Sequence, residues 1–195
     1  MITLASNSIT RKTMLENAGV EVTCFPALID EESIRASLMA ENSKARDIAD
    51  CLADAKAQKV SSKVSGWVLG ADQVLDFDGD IYAKAESKEK LTAQLTVLSG
   101  KDHDLYSAAV VYKDGAAIWR HIGVARMSMR MLTDEFIAEY VEQQFETVQS
   151  SVGGYHIEGH GAQLFSKIQG DYFTVLGLPL FNVLDFLRVQ GVLKQ

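Results

Sequence analysis

Cysteine is nearly absent: Cys24 and Cys51 are the only two in 195 residues, and no paired spacing relates them. A disulfide framework and a thiolate zinc site are therefore excluded. Only Pro26 and Pro179 break the chain, and it holds no internal repeat or low-complexity segment. Positive charge is scarce, since 19 Lys and Arg face 26 Asp and Glu for a net charge of -7. That argues against a nucleic-acid partner, which would need a basic face. A small anionic ligand held by local cations is still allowed. No apolar run is long enough to span a bilayer, and the N-terminus lacks the charged-then-apolar pattern of a signal peptide. The expectation is a cytoplasmic protein with neither nucleic acid nor membrane as partner. There is no Gly-rich run ending in Gly-Lys-Ser/Thr and no strand-linked G-x-G-x-x-G, so neither a P-loop nor a dinucleotide fold is expected.

What the chain does have is apolar content, 47% of it, enough for a core in one domain or in two lobes sharing a sheet. "MITLA" reads as a short buried strand, and Arg11 to Ala18 as a helix stopped by Gly19. "EVTCFPA" reads as a second strand, followed by an acidic cluster at Asp30, Glu31 and Glu32. Between Ser43 and Val60 a helix is expected, with Ala45, Ala49, Leu52 and Lys56 on one face. "WVLGADQVLDF" is a strand that turns at Asp78-Gly79. Ser87 opens a helix with core residues Leu91, Leu95 and Leu98, stopped by Gly100. Two long strands surround Asp114-Gly115, and Thr133 caps a helix burying Phe136, Ile137, Tyr140 and Val141. Pro179 begins the last helix, ending near Gly191. Alternation followed by a long hairpin implies an α/β protein with a mixed sheet rather than a purely doubly wound one.

Polar residues interrupt this apolar pattern in three places. In "LASNSITRK" a strand runs through Ser6, Asn7 and Ser8 into a helix start, where backbone N–H groups and the helix dipole favour an anion. Ser6 and Ser8 could add hydroxyls and Arg11 a bidentate fork; an ordinary N-cap with solvated cations is the plainer reading. Asp72 lies within "VLGADQVL", where a buried carboxylate needs a cation or a metal, unless it turns outward at the strand end. Gly70 beside it would let another group approach the backbone closely. Lys56 ends an apolar stripe and could equally snorkel to the surface, and Lys84 by itself is a surface lysine. "DFDGD" fails as a calcium loop, because Gly79 comes too early and Ser87 stands at the closing position. His156 and His160 have helical zinc spacing, but Gly153, Gly154, Gly159 and Gly161 disfavour a helix there and suit a loop wrapped around a ligand.

The order of these pieces resembles the Maf family of nucleoside triphosphate pyrophosphatases. The matching segments are "LASNS" with Arg11, "IDEE" at 29–32, "LADAKA" at 52–57, "GADQV" at 70–74, Lys84, "LSGKDH" at 98–103, "GGYHIEG" at 153–159 and "GDYFTVLGLPL" at 170–180. The resemblance implies one Maf-like domain over residues 1–195, ITPase-like, with a mixed twisted sheet, flanking helices and two lobes around a central cleft. It implies hydrolysis of a nucleoside triphosphate to monophosphate and pyrophosphate, a divalent metal (Mg2+ or Mn2+), and commonly a homodimer. By the family's pattern Asp72 activates water, and Glu31, Lys56 and Lys84 support catalysis. Ser6, Ser8 and Arg11 match its substrate-binding loop. Asp72 and Glu31 are the implied metal ligands. Ile9 and Thr10 stand where the family usually has Pro and Arg, and Ala85 stands where it has Pro.

Gln73 and Glu158 resemble the 7-methyl-GTP group rather than the dTTP/UTP group, which carries Thr and Gln at these places. A carboxylate only accepts hydrogen bonds, so Glu158 suits the adjacent N1–H and N2–H donors of a guanine-type base, methylated forms included. Thr10 replaces a Trp typical of that group, which removes one stacking surface. A dTTP/UTP or broad-range pyrophosphatase is the alternative within the family. Outside it stand a non-catalytic nucleotide-binding regulator and a phosphatase releasing orthophosphate. Asp72 together with both lysines weighs against the regulator.

Overall fold

A computed structural model describes residues 1–194. The first half comprises β1 (Ile2–Leu4), α1 (Ile9–Asn17), β2 (Val22–Cys24), α2 (Glu31–Ala40), α3 (Ala45–Ser61), β3 (Trp67–Phe77) and β4 (Asp80–Tyr82). The second comprises α4 (Lys88–Leu98), β5 (Asp102–Lys113), β6 (Ala116–Met129), α5 (Asp134–Val148), β7 (Phe165–Gln169), α6 (Tyr172–Val175) and α7 (Leu180–Val189). A 3-10 turn, His160–Leu164, precedes β7.

Seven strands form one sheet in the order β2-β1-β3-β5-β6-β7, with β4 also on β3. β1 runs parallel to β2 and β3, and the remaining pairings are antiparallel. The sheet is mixed, as the alternation implied. Both Asp-Gly pairs make the expected tight turns, with φ of +53° and +91° at Asp78-Gly79 and +49° and +87° at Asp114-Gly115. Ser8, Ser87 and Thr133 cap α1, α4 and α5 through their side chains.

The acidic cluster proved to open a helix that the sequence reading did not place. Asp30 caps α2 by accepting from the Ser33 amide at 3.0 Å, and Glu31 and Glu32 occupy its first turn. No residue of α2 is fully buried; its short apolar stripe, Ile34 and Leu38, is half-buried against the core.

The long strands pass through two packing environments. Towards one end, α3 covers one face, packing Ile48, Ala49, Leu52 and Ala53 against Val68, Val74 and Val110. α1 and α7 cover the other, packing Leu15, Val183 and Leu187 against Leu69, Ala71 and Val111. Towards the other end, Leu75, Leu105 and Met127 pack with α4 and α5. Along β3 the change of environment falls at Asp72 to Leu75. There its edge is also open, because β1 pairs only to Leu69 and β4 begins only at Leu75. Among the described residues, no helix is long and apolar enough to cross a membrane.

Candidate active site

Gly70 determines how closely α3 approaches β3. A Cβ there would lie 2.1 Å from the Ala53 carbonyl oxygen and 2.8 Å from the Ala57 Cβ. The close approach anticipated at Gly70 is thus made by the protein's own helix. It brings Lys56 inward, against the snorkelling alternative: Lys56 Nζ lies 2.7 Å from Asp72 Oδ1 and 3.0 Å from Glu31 Oε1. The side chains of Lys56 and Asp72 are only 8% and 7% exposed, that of Glu31 40%. One ammonium therefore serves two carboxylates. Asp72 Oδ2 is buried and has no partner among the described residues.

Arg11 fills the open edge. Its Nε donates to the Gly177 carbonyl at 2.8 Å and its Nη1 to the Ala71 carbonyl at 3.1 Å. Burial pulls the guanidinium pKa below its ordinary value, while Asp72 and Glu31 act in the opposite direction. Arginine remains cationic under such shifts. The expected free fork is thus half engaged on backbone, with Nη2 lying against Gly177.

Ser8 does cap the helix, its Oγ accepting from the Arg11 amide at 3.3 Å, and Ser6 Oγ accepts from the Ser8 amide at 3.1 Å. Both hydroxyls shape the turn. Among the described residues no protein acceptor takes the amides of Ile9 and Thr10 at the helix start. Lys84 is exposed in the segment after β4 and enters no ion pair among the described residues.

Thr10 and Glu158 come together. Both line a cavity of about 440 Å³ with Ile9, Asn17, Phe173 and Leu176. Gln73 is not on its wall. Its amide nitrogen donates to Ser107 Oγ at 3.1 Å and to the carbonyls of Thr174 and Val175 at 3.1 and 2.9 Å. Ser107 Oγ, fully buried, donates to the Thr174 carbonyl at 2.7 Å. Gln73 and Ser107 thus hold the short helix α6, which presents Phe173 and leads to Leu176. Sequence reasoning found no role for Ser107, because its partner lies 67 positions away.

The glycines of the 153–161 loop pack closely on the protein itself, while its Glu158 lines the cavity. A Cβ on Gly153 would lie 2.3 Å from the Tyr155 ring, on Gly154 2.1 Å from Leu91, and on Gly161 2.5 Å from the His156 carbonyl oxygen. Among the described residues no group of three or more His, Cys, Asp or Glu side chains could hold a metal by itself.

The model of the Maf-like protein family matches residues 1–190. The chain is 48% identical over 191 residues to a nucleoside triphosphate pyrophosphatase of Ruegeria pomeroyi, which covers 97% of this chain and 96% of that relative. It is 48% identical over 192 residues to a protein of the same name from Caulobacter vibrioides, covering 98% and 96%. A nucleoside triphosphate pyrophosphatase 1 of Jannaschia sp. is 48% identical over 190 residues, covering 97% and 96%.

Proposed function

Because the chain belongs to the Maf family, as the match over nearly its whole length shows, we propose that it hydrolyses a nucleoside triphosphate between the α and β phosphates. The products are a monophosphate and pyrophosphate. The observation that carries this reading is the buried Asp72 carboxylate, with one oxygen on Lys56 and the other unpartnered. A buried carboxylate oxygen without a partner is costly to keep, and a reaction that must take a proton from water gives it a use.

Phosphoryl transfer calls mainly for positioning and for neutralisation of charge on the phosphate oxygens. The free amides at Ile9 and Thr10 and the remaining donors of Arg11 suit the triphosphate. Lys56 occupies Asp72 Oδ1, which leaves Oδ2 to take a proton from water. As the water oxygen bonds to the α-phosphorus, the bridging P–O bond breaks and its electron pair leaves with pyrophosphate. Lys84, exposed and without an ion-pair partner, is free to approach the phosphate chain. The donor set fits a divalent cation, since the Asp72 and Glu31 carboxylates are hard oxygen ligands, and Mg2+ usually takes one or two carboxylates plus substrate phosphates. Bound there, Mg2+ or Mn2+ would neutralise phosphate charge and acidify water.

For the base, the reading is a guanine-type ring in the cavity lined by Thr10 and Glu158, whose volume of about 440 Å³ lies in the usual range for a ligand site. Tyr172 and Phe173 line the same cavity and supply aromatic surface that Thr10 does not. Uracil or thymine would place carbonyl acceptors against Glu158. The same reading includes a cytoplasmic location and a homodimer. Exposed Leu28, Phe181 and Val189 offer apolar surface for such pairing.

The test is a panel of canonical and methylated triphosphates with Mg2+ or Mn2+, scored for pyrophosphate and for orthophosphate. Pyrophosphate release, fastest with guanine bases, is expected. Asp72→Asn should lower kcat by about a thousandfold, within the span of general-base contributions, with an unchanged far-UV spectrum. Orthophosphate as the sole product, or near-normal turnover by Asp72→Asn, overturns the mechanism. UTP and dTTP as best substrates overturn the base assignment.

A further inference from the structure

Glu158 sits in a segment that has neither strand nor helix to hold it. Between the end of α5 and the 3-10 turn, the backbone bonds are local turns such as Ser151 to Val148 and Gly159 to His156. Side chains from three other elements hold this segment in place. Gln94 of α4 donates to the Val152 carbonyl at 2.9 Å, and Tyr140 of α5 donates to the Gly154 carbonyl at 3.2 Å. The third contact is between two side chains. His103 Nε2 of β5 and the Tyr155 hydroxyl lie 2.6 Å apart, with the two residues only 2% and 4% exposed.

This pair is not what packing alone would select. Phenylalanine at either position would fill similar space without burying a polar group. The pair is also incompletely satisfied, because His103 Nδ1 is buried without a partner. What the hydrogen bond adds is direction. It fixes the Tyr155 ring, which Phe165 clamps edge-on with centroids 4.7 Å apart. Gly153 in turn packs against that ring so closely that no Cβ could be accommodated. The turn leading to Glu158 is thereby seated on a single ring.

We propose that His103 and Tyr155 are positioning residues for base selection: their buried hydrogen bond sets the height of the 153–159 loop and so the placement of the Glu158 carboxylate in the cavity. The proposal rests on the reading of Glu158 as the group that reads the base. Neither residue reaches the cavity wall, so neither touches substrate. Burial holds both groups neutral, pushing His103 down to about 4 and the Tyr155 phenol well above its ordinary value, so the contact persists across neutral pH.

The experiment compares kcat and KM for GTP and UTP in Glu158→Gln, Tyr155→Phe, His103→Gln and the double variant His103→Gln/Tyr155→Phe, with melting temperatures taken in parallel. Tyr155→Phe keeps the ring and removes only the hydroxyl. Both single variants should lower the GTP-to-UTP ratio of kcat/KM by roughly tenfold, through a raised KM for GTP with kcat within about twofold. The double variant should be no worse than either single one, because they remove the same bond. A merely structural role would lower both substrates alike and leave the ratio intact. If Glu158→Gln changes the ratio while Tyr155→Phe and His103→Gln do not, the positioning role is wrong and the reading of Glu158 stands. If Glu158→Gln leaves the ratio unchanged, the reading of Glu158 falls and takes the positioning role with it.

Discussion

Lys56 shows what one residue does when its neighbours in space are far away in sequence. Its place on the inner face of α3 follows from the spacing of Ala45, Ala49 and Leu52, and the structure buries it there. Its direction does not follow, because Asp72 and Glu31 lie outside the helical pattern and only the fold brings them to 2.7 and 3.0 Å. Removing one member of a buried pair strands the other. Lys56→Met should therefore cost roughly 3 kcal/mol, leaving Asp72 and Glu31 to repel each other. Adding Asp72→Asn should return a large part of that loss. Denaturant unfolding of the single and double variants checks both values, and additive losses would mean that the pair contributes nothing. Asp72 itself was recognisable as an anomaly in an apolar strand. Gln73, by contrast, entered through the resemblance as a mark of base specificity, and its amide is spent on Ser107 and α6. A hydrogen bond between residues a hundred positions apart leaves no local pattern to read.

At the scale of elements, legibility followed burial and turn chemistry. α3, α4 and α5 carry apolar stripes and side-chain or charged starts, and their positions were apparent. The two hairpins were apparent from Asp-Gly pairs that adopt positive φ. α2 buries nothing fully and β7 is short and largely exposed, and the sequence reading placed neither. The contact that matters most for the site is the seating of α3 on β3 over Gly70. Gly70→Ala would drive a methyl into the Ala53 carbonyl and should destabilise the protein by about 1–3 kcal/mol, as overpacking does. It should also lower kcat/KM for every triphosphate alike, because Lys56 moves with the helix. A variant with normal activity and an unchanged melting temperature would show that α3 has room to shift.

For the molecule as a whole, the α/β class and the mixed sheet were legible from the alternation of elements followed by a long hairpin. The meeting of Lys56 with Glu31 and Asp72, and of Thr10 with Glu158 in one cavity, was legible only through resemblance to a family, since no local spacing encodes it. One global property follows from a single buried group. His103 has an ordinary pKa of 6.5, lowered to about 4 in the folded state by burial, with Asp102 and Asp104 opposing the shift. Between these values the unfolded chain binds the proton and the folded one does not, so stability falls as pH drops from about 6.5 to about 4. The contribution is about 3 kcal/mol across that window. His103→Gln should flatten the acid limb of a plot of stability against pH, as measured by denaturant titration at several pH values. An unchanged limb would assign acid sensitivity to the carboxylates instead. The short reach of β1 has a consequence of the same breadth. Where a longer first strand would have covered β3, a guanidinium now ties the first helix to residues 60 and 166 positions away. In the proposed reading, substrate affinity and architectural integrity share one side chain, and a change that retunes the grip on anions at Arg11 also loosens the frame.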